Sequence, residues 1–410
     1  MRIAFDGTTL RPRRTGVGYY TEHLLRHLVQ QDERHEVMVV SNRPIDLVAP
    51  LARPVRTLWG TRVPVGLLWM QLVAPRLLRA LEPDVAHFTN SMVPLASDVP
   101  MVVTIHDMHV TLAPRFHPVR RVLLNRPLAK LAARRVDAVI TVSHSARRDI
   151  LRLYNLPPER VRVVYEAAAP AFRPIHDPAR LGEVRRRYAL PEQFLLYVGT
   201  IEPRKNLARL IEAFAARFCA RDVRMPLVCV GPYGWKARDV GARVERLGLR
   251  DAVRFLGYVP FTDLPAIYSL CTAFVFPSLH EGFGLPVVEA MACGAPAIVG
   301  ANSSLLEIAD DAALAVDARD TIAIGDALAR LVADGDLRRD LSRRGRARAA
   351  FFSWQRAARE TLDVYRWVAE KRGRESLSGD QRPADGTRLP TPLTELAARH
   401  VAAEQQAPWS

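Results

Sequence analysis

Cysteine is scarce in this chain. There are four in 410 residues, Cys219, Cys229, Cys271 and Cys293, and none forms a C-x-x-C pair. Scattered in apolar stretches, they argue against a zinc site or a disulfide framework and for buried free thiols. Long apolar runs are also missing. No uninterrupted stretch approaches the ~18 residues that a membrane-spanning helix needs, and Met1-Arg2-Ile3-Ala4-Phe5-Asp6 lacks the apolar region of a signal peptide. The expectation is a cytoplasmic protein, with peripheral attachment to the inner membrane face left open. Acid is short relative to base: 43 Asp and Glu against 58 Lys and Arg, a formal charge of +15. Such an excess suits phosphorylated ligands, an anionic bilayer or nucleic acid, and composition does not choose among them. A metal-binding D-x-D is present only in letters. Asp334-Gly335-Asp336 lies in a polar turn between helical patterns, where helix capping is the expected role. Neither a metal nor a cofactor is expected.

What is present is a regular alternation of apolar runs with amphipathic helical patterns, the habit of parallel α/β sheets. The runs in the first half are Ile3 to Asp6, Glu36 to Val40, Val85 to Phe88, Met101 to His106, Ala138 to Val142 and Val161 to Tyr165. Those in the second half are Phe194 to Gly199, Leu227 to Gly231, Val253 to Gly257, Ala273 to Phe276 and Ala297 to Gly300. A chain of this length exceeds one ordinary core, so two domains are expected. Pro170, Pro174 and Pro178 mark a linker between them. Phe352-Ser353-Trp354, followed by Leu362, Tyr365 and Val368, reads as an amphipathic helix with Ser353 as N-cap. The expected divisions are residues 1–172, residues 173–352, a helix over 353–370 and a disordered tail over 371–410.

The most informative segment runs from Phe276 to Val299, F-P-S-L-H-E-G-F-G-L-P-V-V-E-A-M-A-C-G-A-P-A-I-V. The apolar run ending at Phe276 is a buried strand by pattern; Gly282-Phe283-Gly284 makes a turn; Pro286 opens a short helix closed near Gly294. Glu281 is then placed on the loop and Glu289 about one turn into the helix. Two carboxylates beside free helix N–H groups suit a ligand that carries both hydroxyls and a phosphate. A second basic motif follows the strand pattern Leu195 to Gly199, in the loop Thr200-Ile201-Glu202-Pro203-Arg204-Lys205-Asn206. Arg204 and Lys205 emerge at a strand's C-terminal end, where open α/β sheets bind ligands, and two cations there can neutralise a diphosphate.

Gly16, Val17 and Gly18 open a helical pattern after the first strand, and the glycines permit close backbone approach to a ligand. His106 follows the run Met101 to Ile105 and is placed at a strand end facing a cleft. Two acid-free stretches remain. One holds Arg56, Arg62, Arg76 and Arg79 among Leu67, Leu68, Trp69, Met70 and Leu72. The other holds Arg115, Arg120, Arg121, Arg126, Lys130, Arg134 and Arg135. An anionic membrane surface, solvated faces and phosphate contacts all fit them.

The segment from Glu281 to Glu289 resembles the E-x7-E signature of the retaining nucleotide-sugar glycosyltransferases of family 4, which have the GT-B fold of two Rossmann-like domains facing across a cleft. The similarity covers about Met1 to Trp367. It implies a C-terminal helix crossing back to the first domain, an N-terminal domain that binds the acceptor and a C-terminal domain that binds the donor. It implies donor contacts from Gly282, Phe283, Gly284, Leu285 and Glu289, with Glu289 on the ribose hydroxyls and Glu281 on the donor sugar. By the same resemblance Arg204 and Lys205 form a metal-independent diphosphate clamp, Gly16-Val17-Gly18 lines the acceptor side, and His106, from an H-D dipeptide, lies beside the reacting sugar. The family's partners would be a nucleoside diphosphate sugar and a glycan or lipid-linked saccharide, with no nucleic acid. Y-V-G-T-I-E-P-R-K-N-L looks like bacterial mannosyltransferases of surface-polysaccharide assembly, which implies GDP-mannose as donor, with a UDP-hexose as the alternative. The chain departs from the pattern at Thr200, at Glu166 to Ala169 and at Leu306. A rival reading is a basic GT-B-like binding protein without turnover, which predicts loss of the donor contacts, whereas Glu281, Glu289, Arg204 and Lys205 are all present.

Overall fold

The structure is a computed structural model that describes the whole chain except residues 13–15, 32, 60–65, 115–118, 220–224, 235–237 and 379–410, and except the side chains of 120, 121, 124, 219, 238 and 373–378. Seven strands form a first sheet: β1 (Arg2–Asp6), β2 (Glu36–Ser41), β3 (Arg56–Trp59), β4 (Val85–Phe88), β5 (Met101–Ile105), β6 (Ala138–Thr141) and β7 (Val161–Val163). Six form a second: β8 (Leu195–Val198), β9 (Leu227–Val230), β10 (Val253–Gly257), β11 (Ala273–Phe276), β12 (Ala297–Gly300) and β13 (Ala313–Val316). The orders are β3-β2-β1-β4-β5-β6-β7 and β10-β9-β8-β11-β12-β13, and every pairing is parallel.

The inner strands are buried on both faces, as β4, β5, β6, β8, β9 and β11 show throughout their length. That two-sided burial is why they read as unbroken apolar runs. The two strands that the sequence pattern misses, β3 and β13, are sheet edges. They carry partly exposed residues and so lack such a run. Strand order reverses between β1 and β4 and between β8 and β11, and ligands of open α/β sheets collect at such reversals.

The helix Trp354–Ser378 begins where Ser353 Oγ accepts from Arg356 N at 3.2 Å. It buries Trp354, Leu362, Tyr365 and Val368, each worth ~1.5–3 kcal/mol of apolar burial. Tyr365 OH lies 2.6 Å from His87 Nδ1 on β4, whose Nε2 lies 2.8 Å from Thr104 Oγ1 on β5. Burial pushes the His87 pKa down to about 3, so the ring is neutral and ties this helix to the first sheet. The helix extends to Ser378, beyond the limit expected at 370, because no proline or glycine pair intervenes before that point. The expectation for the tail beyond it lies outside the described residues.

Asp334 is a helix cap, its Oδ1 accepting from Leu337 N at 2.8 Å. Cys229, Cys271 and Cys293 are free and buried, while the Cys219 side chain lies outside the described residues. Trp69 and Met70, read as part of an exposed basic and apolar stretch, are instead buried against Met38, Val40 and Leu78 in the core on one face of the first sheet. Their helix Gly66–Leu72 leaves Leu68 and Leu72 outside. Arg62 and Arg115, and the Arg120 and Arg121 side chains, lie outside the described residues.

Candidate active site

The strand-end loops after β8 and β11 are stitched together before any side chain of the site is placed. Asn206 adopts a left-handed conformation (φ 62°), which asparagine tolerates, and its Nδ2 donates to Pro277 O at 3.0 Å and Ala318 O at 2.6 Å. Leu279 N donates to Arg204 O at 2.9 Å, and Ser278 Oγ lies 3.1 Å from the same carbonyl. The turn Pro203–Lys205 is therefore fixed against the loop that carries Glu281.

Glu281 is the centre of this arrangement. Its Oε1 accepts from Lys205 Nζ at 2.8 Å and from Ser278 Oγ at 2.6 Å, and its Oε2 accepts from Arg204 at 2.6 Å. Burial acts against the charge, but Arg204 and Lys205 outweigh it and hold the carboxyl down at about 2. Arg204 also pairs with Glu202 at 2.8 Å and donates to His280 O at 3.0 Å. Burial opposes its charge too, and Glu281, Asp107 and Glu202 raise its pKa. Lys205 Nζ lies 4.8 Å from the centre of the Phe276 ring. Among the described residues, Lys205 has acceptors for one of its three N–H groups and Arg204 for four of its five, which leaves two and one for a further acceptor.

Glycine is required twice in the turn that follows. A Cβ at Gly282 would stand 1.8 Å from His106 O, and Gly284 has φ 109°. The first lets the loop touch the first half of the molecule; the second starts the helix Leu285–Ala292. Glu289, in this helix, has Tyr268 OH at 3.2 Å as hydrogen-bond donor. Burial raises its pKa to about 7, against the modest pull of that one bond. Phe283 is buried, and its carbonyl accepts from Ser304 at 2.8 Å.

On the opposing wall, His106 follows β5 and both of its ring nitrogens face acceptors. Nδ1 is 2.9 Å from Glu166 Oε1 and Nε2 is 3.0 Å from Thr89 O. A carboxylate and a carbonyl can only accept, so the ring carries both protons. Burial works against this cation, but Glu166 and Thr89 raise its pKa above the ordinary value. Asp107, next to it, is ionised below the ordinary range; burial opposes this, and Arg204 from the other wall is the main cause. Gly16, Val17 and Gly18 start the helix Gly16–Gln31, and Thr21 Oγ1 donates to Val17 O at 2.8 Å. Val17, Asn90, His106, Asp107, Arg126 and Tyr154 line a cavity of about 220 Å³. Two larger hollows lie away from these loops, one beside β7 and the last helix and one near Gly294 and Arg346.

The structure thus gathers Glu281, Arg204, Lys205, Gly282, Phe283, Gly284, Leu285 and Glu289 at the β8–β11 reversal, with His106 and Gly16 to Gly18 across from them. Sequence reasoning missed Glu202, Ser278, Asp107 and the pair of Glu166 with His106. Glu202 and Asp107 adjoin motif residues. The Glu166 pairing spans sixty residues and leaves no local signal.

Residues 183–348 match the family model described as glycosyl transferases group 1, and residues 14–170 that described as glycosyltransferase family 4. The chain is 32% identical over 387 residues to O-antigen chain mannosyltransferase B of Escherichia coli, covering 89% of this chain and all of that one. It is 35% identical over 254 residues to the D-inositol 3-phosphate glycosyltransferase of Salinispora tropica, covering 58% of this chain and 52% of that one. Sucrose-phosphate synthase of Thermosynechococcus elongatus superposes with a TM-score of 0.72 at 22% identity, over 90% of this chain and 99% of that chain, which shows the GT-B fold. With both halves matched and one relative aligned along its whole length, the chain belongs to the glycosyl transferases of group 1 and family 4.

Proposed function

We propose that this chain transfers a hexose, mannose from GDP-mannose in the first instance, from a nucleoside diphosphate to a hydroxyl of a glycan or lipid-linked acceptor in bacterial surface-polysaccharide synthesis. Transfer retains the anomeric configuration and uses no metal. The observation that carries this reading is the buried Glu281–Arg204–Lys205 cluster at the strand-order reversal of the second sheet. The full-length similarity to an O-antigen mannosyltransferase supports mannose as the sugar and surface polysaccharide as the product class. A UDP-hexose donor is the alternative.

Glu289 holds the ribose hydroxyls, and Gly282 to Leu285 border the donor sugar. The remaining N–H groups of Lys205 and Arg204 meet the diphosphate. As the glycosidic bond breaks, negative charge grows on that diphosphate, and fixed donors in a buried site stabilise it best. Glu281 keeps both cations in place and orients sugar hydroxyls. It is no nucleophile here, because a carboxylate locked by two cations is a poor one; the leaving phosphate oxygen takes the acceptor proton. His106 acts as a fixed cation beside the reacting sugar, since a ring with both nitrogens protonated cannot serve as a base. The acceptor enters through the cavity lined by Val17, Asn90 and Asp107.

Nucleoside diphosphate release from a panel of GDP- and UDP-sugars, with the product anomer read by NMR, tests this. Release from GDP-mannose with a retained anomer, unchanged by EDTA, is expected. Inversion, or activity restored only by manganese, refutes it.

A peripheral membrane position belongs to the same reading. Among the described residues no helix is long and apolar enough to cross a bilayer. The helix Val119–Arg135 exposes Val119, Leu123 and Leu131 with the bases Arg126 and Arg134, a composition suited to an anionic surface. Leu123→Ser should float less with anionic vesicles than the parent; equal flotation removes this part.

A further inference from the structure

One acidic side chain of the second half reaches into the first and collects three donors there. Glu307, on the helix Ser303–Ala309, accepts from His144 N at 2.7 Å and Tyr165 OH at 2.9 Å through Oε1, and from Ser145 N at 2.9 Å through Oε2. His144 and Ser145 are the first residues of the eleven-residue helix His144–Tyr154. The first N–H groups of a helix have no partner within it. Ser143, the N-cap, takes Ala146 N on its Oγ at 2.9 Å and Arg147 N on its carbonyl at 3.0 Å. The two N–H groups before these are satisfied by the carboxylate from across the cleft, which also sits on the positive end of the helix dipole. Ser143 Oγ in turn donates to Gly282 O at 2.6 Å.

The same short helix holds the Glu281 loop from its other end. Ser303 Oγ accepts from Glu281 N at 3.0 Å, and Ser304 Oγ lies 3.0 Å from Glu281 O and 2.8 Å from Phe283 O. Ser303 adopts φ 47°, a conformation that a serine holds only when its surroundings enforce it. The helix is thus a rigid lever, with the donor loop at its start and the acceptor half at Glu307.

We propose that Glu307 is a positioning residue that fixes the closed alignment of the two halves and couples it to the state of the Glu281 loop; the functional half of this proposal rests on the glycosyl-transfer reading. When the halves separate, the carboxylate, the two helix N–H groups and the Tyr165 hydroxyl return to water. Their mutual bonds therefore favour the closed form alone. Closure matters because the reacting groups are divided between the walls, with Glu281, Arg204 and Lys205 on one and His106 and Asp107 on the other.

The test uses the full chain with Glu307→Ala, Glu307→Gln and Tyr165→Phe, each shown to be folded by its melting curve. In solution scattering without ligand, Glu307→Ala should be more expanded than the parent. In steady state its kcat should fall ~10- to 100-fold, the range for losing charged hydrogen bonds, while calorimetric affinity for the sugar nucleotide changes less than about threefold. Glu307→Gln, which turns an N–H₂ toward donors, should resemble Glu307→Ala, and Tyr165→Phe should lie between them and the parent. A merely structural loss would lower the melting temperature without separating kcat from donor affinity. Scattering curves identical to the parent's, or an unchanged kcat, overturn the proposal. If Glu307→Ala expands but neither protein binds a GDP- or UDP-sugar, the latch stands and the transfer reading fails.

Discussion

Donor affinity should depend on pH through Glu289. Burial with one hydrogen-bond partner lifts its pKa from 4.5 to about 7. Ribose hydroxyls donate best to the ionised form, so the competent fraction falls as protons bind. For a pKa of 7 the apparent dissociation constant scales as one plus ten to the power of pKa minus pH. That factor is ~11 at pH 6 and ~1.1 at pH 8, a tenfold loss of affinity between them. The stability sign is opposite. Because the folded pKa is raised, ionising Glu289 costs the ligand-free fold, and stability present below pH 4.5 is lost as pH rises through 7. The shift of 2.5 units (7 minus 4.5) bounds this at ~3 kcal/mol. Glu289→Gln, of equal size, should bind donor weakly at every pH and melt above the parent at pH 8 but with it at pH 4.5. Calorimetry should use the intact sugar nucleotide, whose diphosphate has no ionisation near pH 6, whereas a free nucleoside diphosphate does. A parent whose affinity is flat from pH 6 to 8, or a Glu289→Gln variant that keeps the slope, would refute the assignment.

Two further outcomes follow from the same electrostatics. Glu281→Gln leaves Arg204 and Lys205 buried without their shared carboxylate, so a loss of ~3–5 kcal/mol is expected along with transfer activity. Because the Glu281 pKa is lowered to about 2, the contribution is present above pH 4.5 and shrinks as pH falls toward 2; a melting temperature equal to the parent's at pH 7 would contradict this. Glu166→Gln removes the main support of the charged His106 ring, so the alkaline limb of the kcat profile should move to lower pH with the His106 NMR titration. A limb that stays in place while the NMR titration moves would show that His106 does not act as a cation.

The buried parallel strands were legible in the sequence because a strand covered on both faces must be apolar along its length. β8, β11 and β12, the loops between them and the helix carrying Glu289 follow from runs punctuated by glycine and proline, and they set Arg204, Lys205, Glu281 and Glu289 on one end of one sheet. The edge strands β3 and β13 were not legible, since a half-exposed edge needs no such run. What local pattern cannot convey is which charged groups face one another. The chain places Glu281 seventy-six residues from Lys205, and only packing reveals that this carboxylate is already locked by the two cations read as a phosphate clamp. Likewise His106 is one histidine among eleven until Glu166 and Thr89 meet its two nitrogens. Glu307 acquires its three donors only from the other half of the molecule. Periodicity and turn chemistry act over a few residues and were written along the chain; protonation, ion pairing and closure depend on distances across the cleft, which the tertiary structure alone decided.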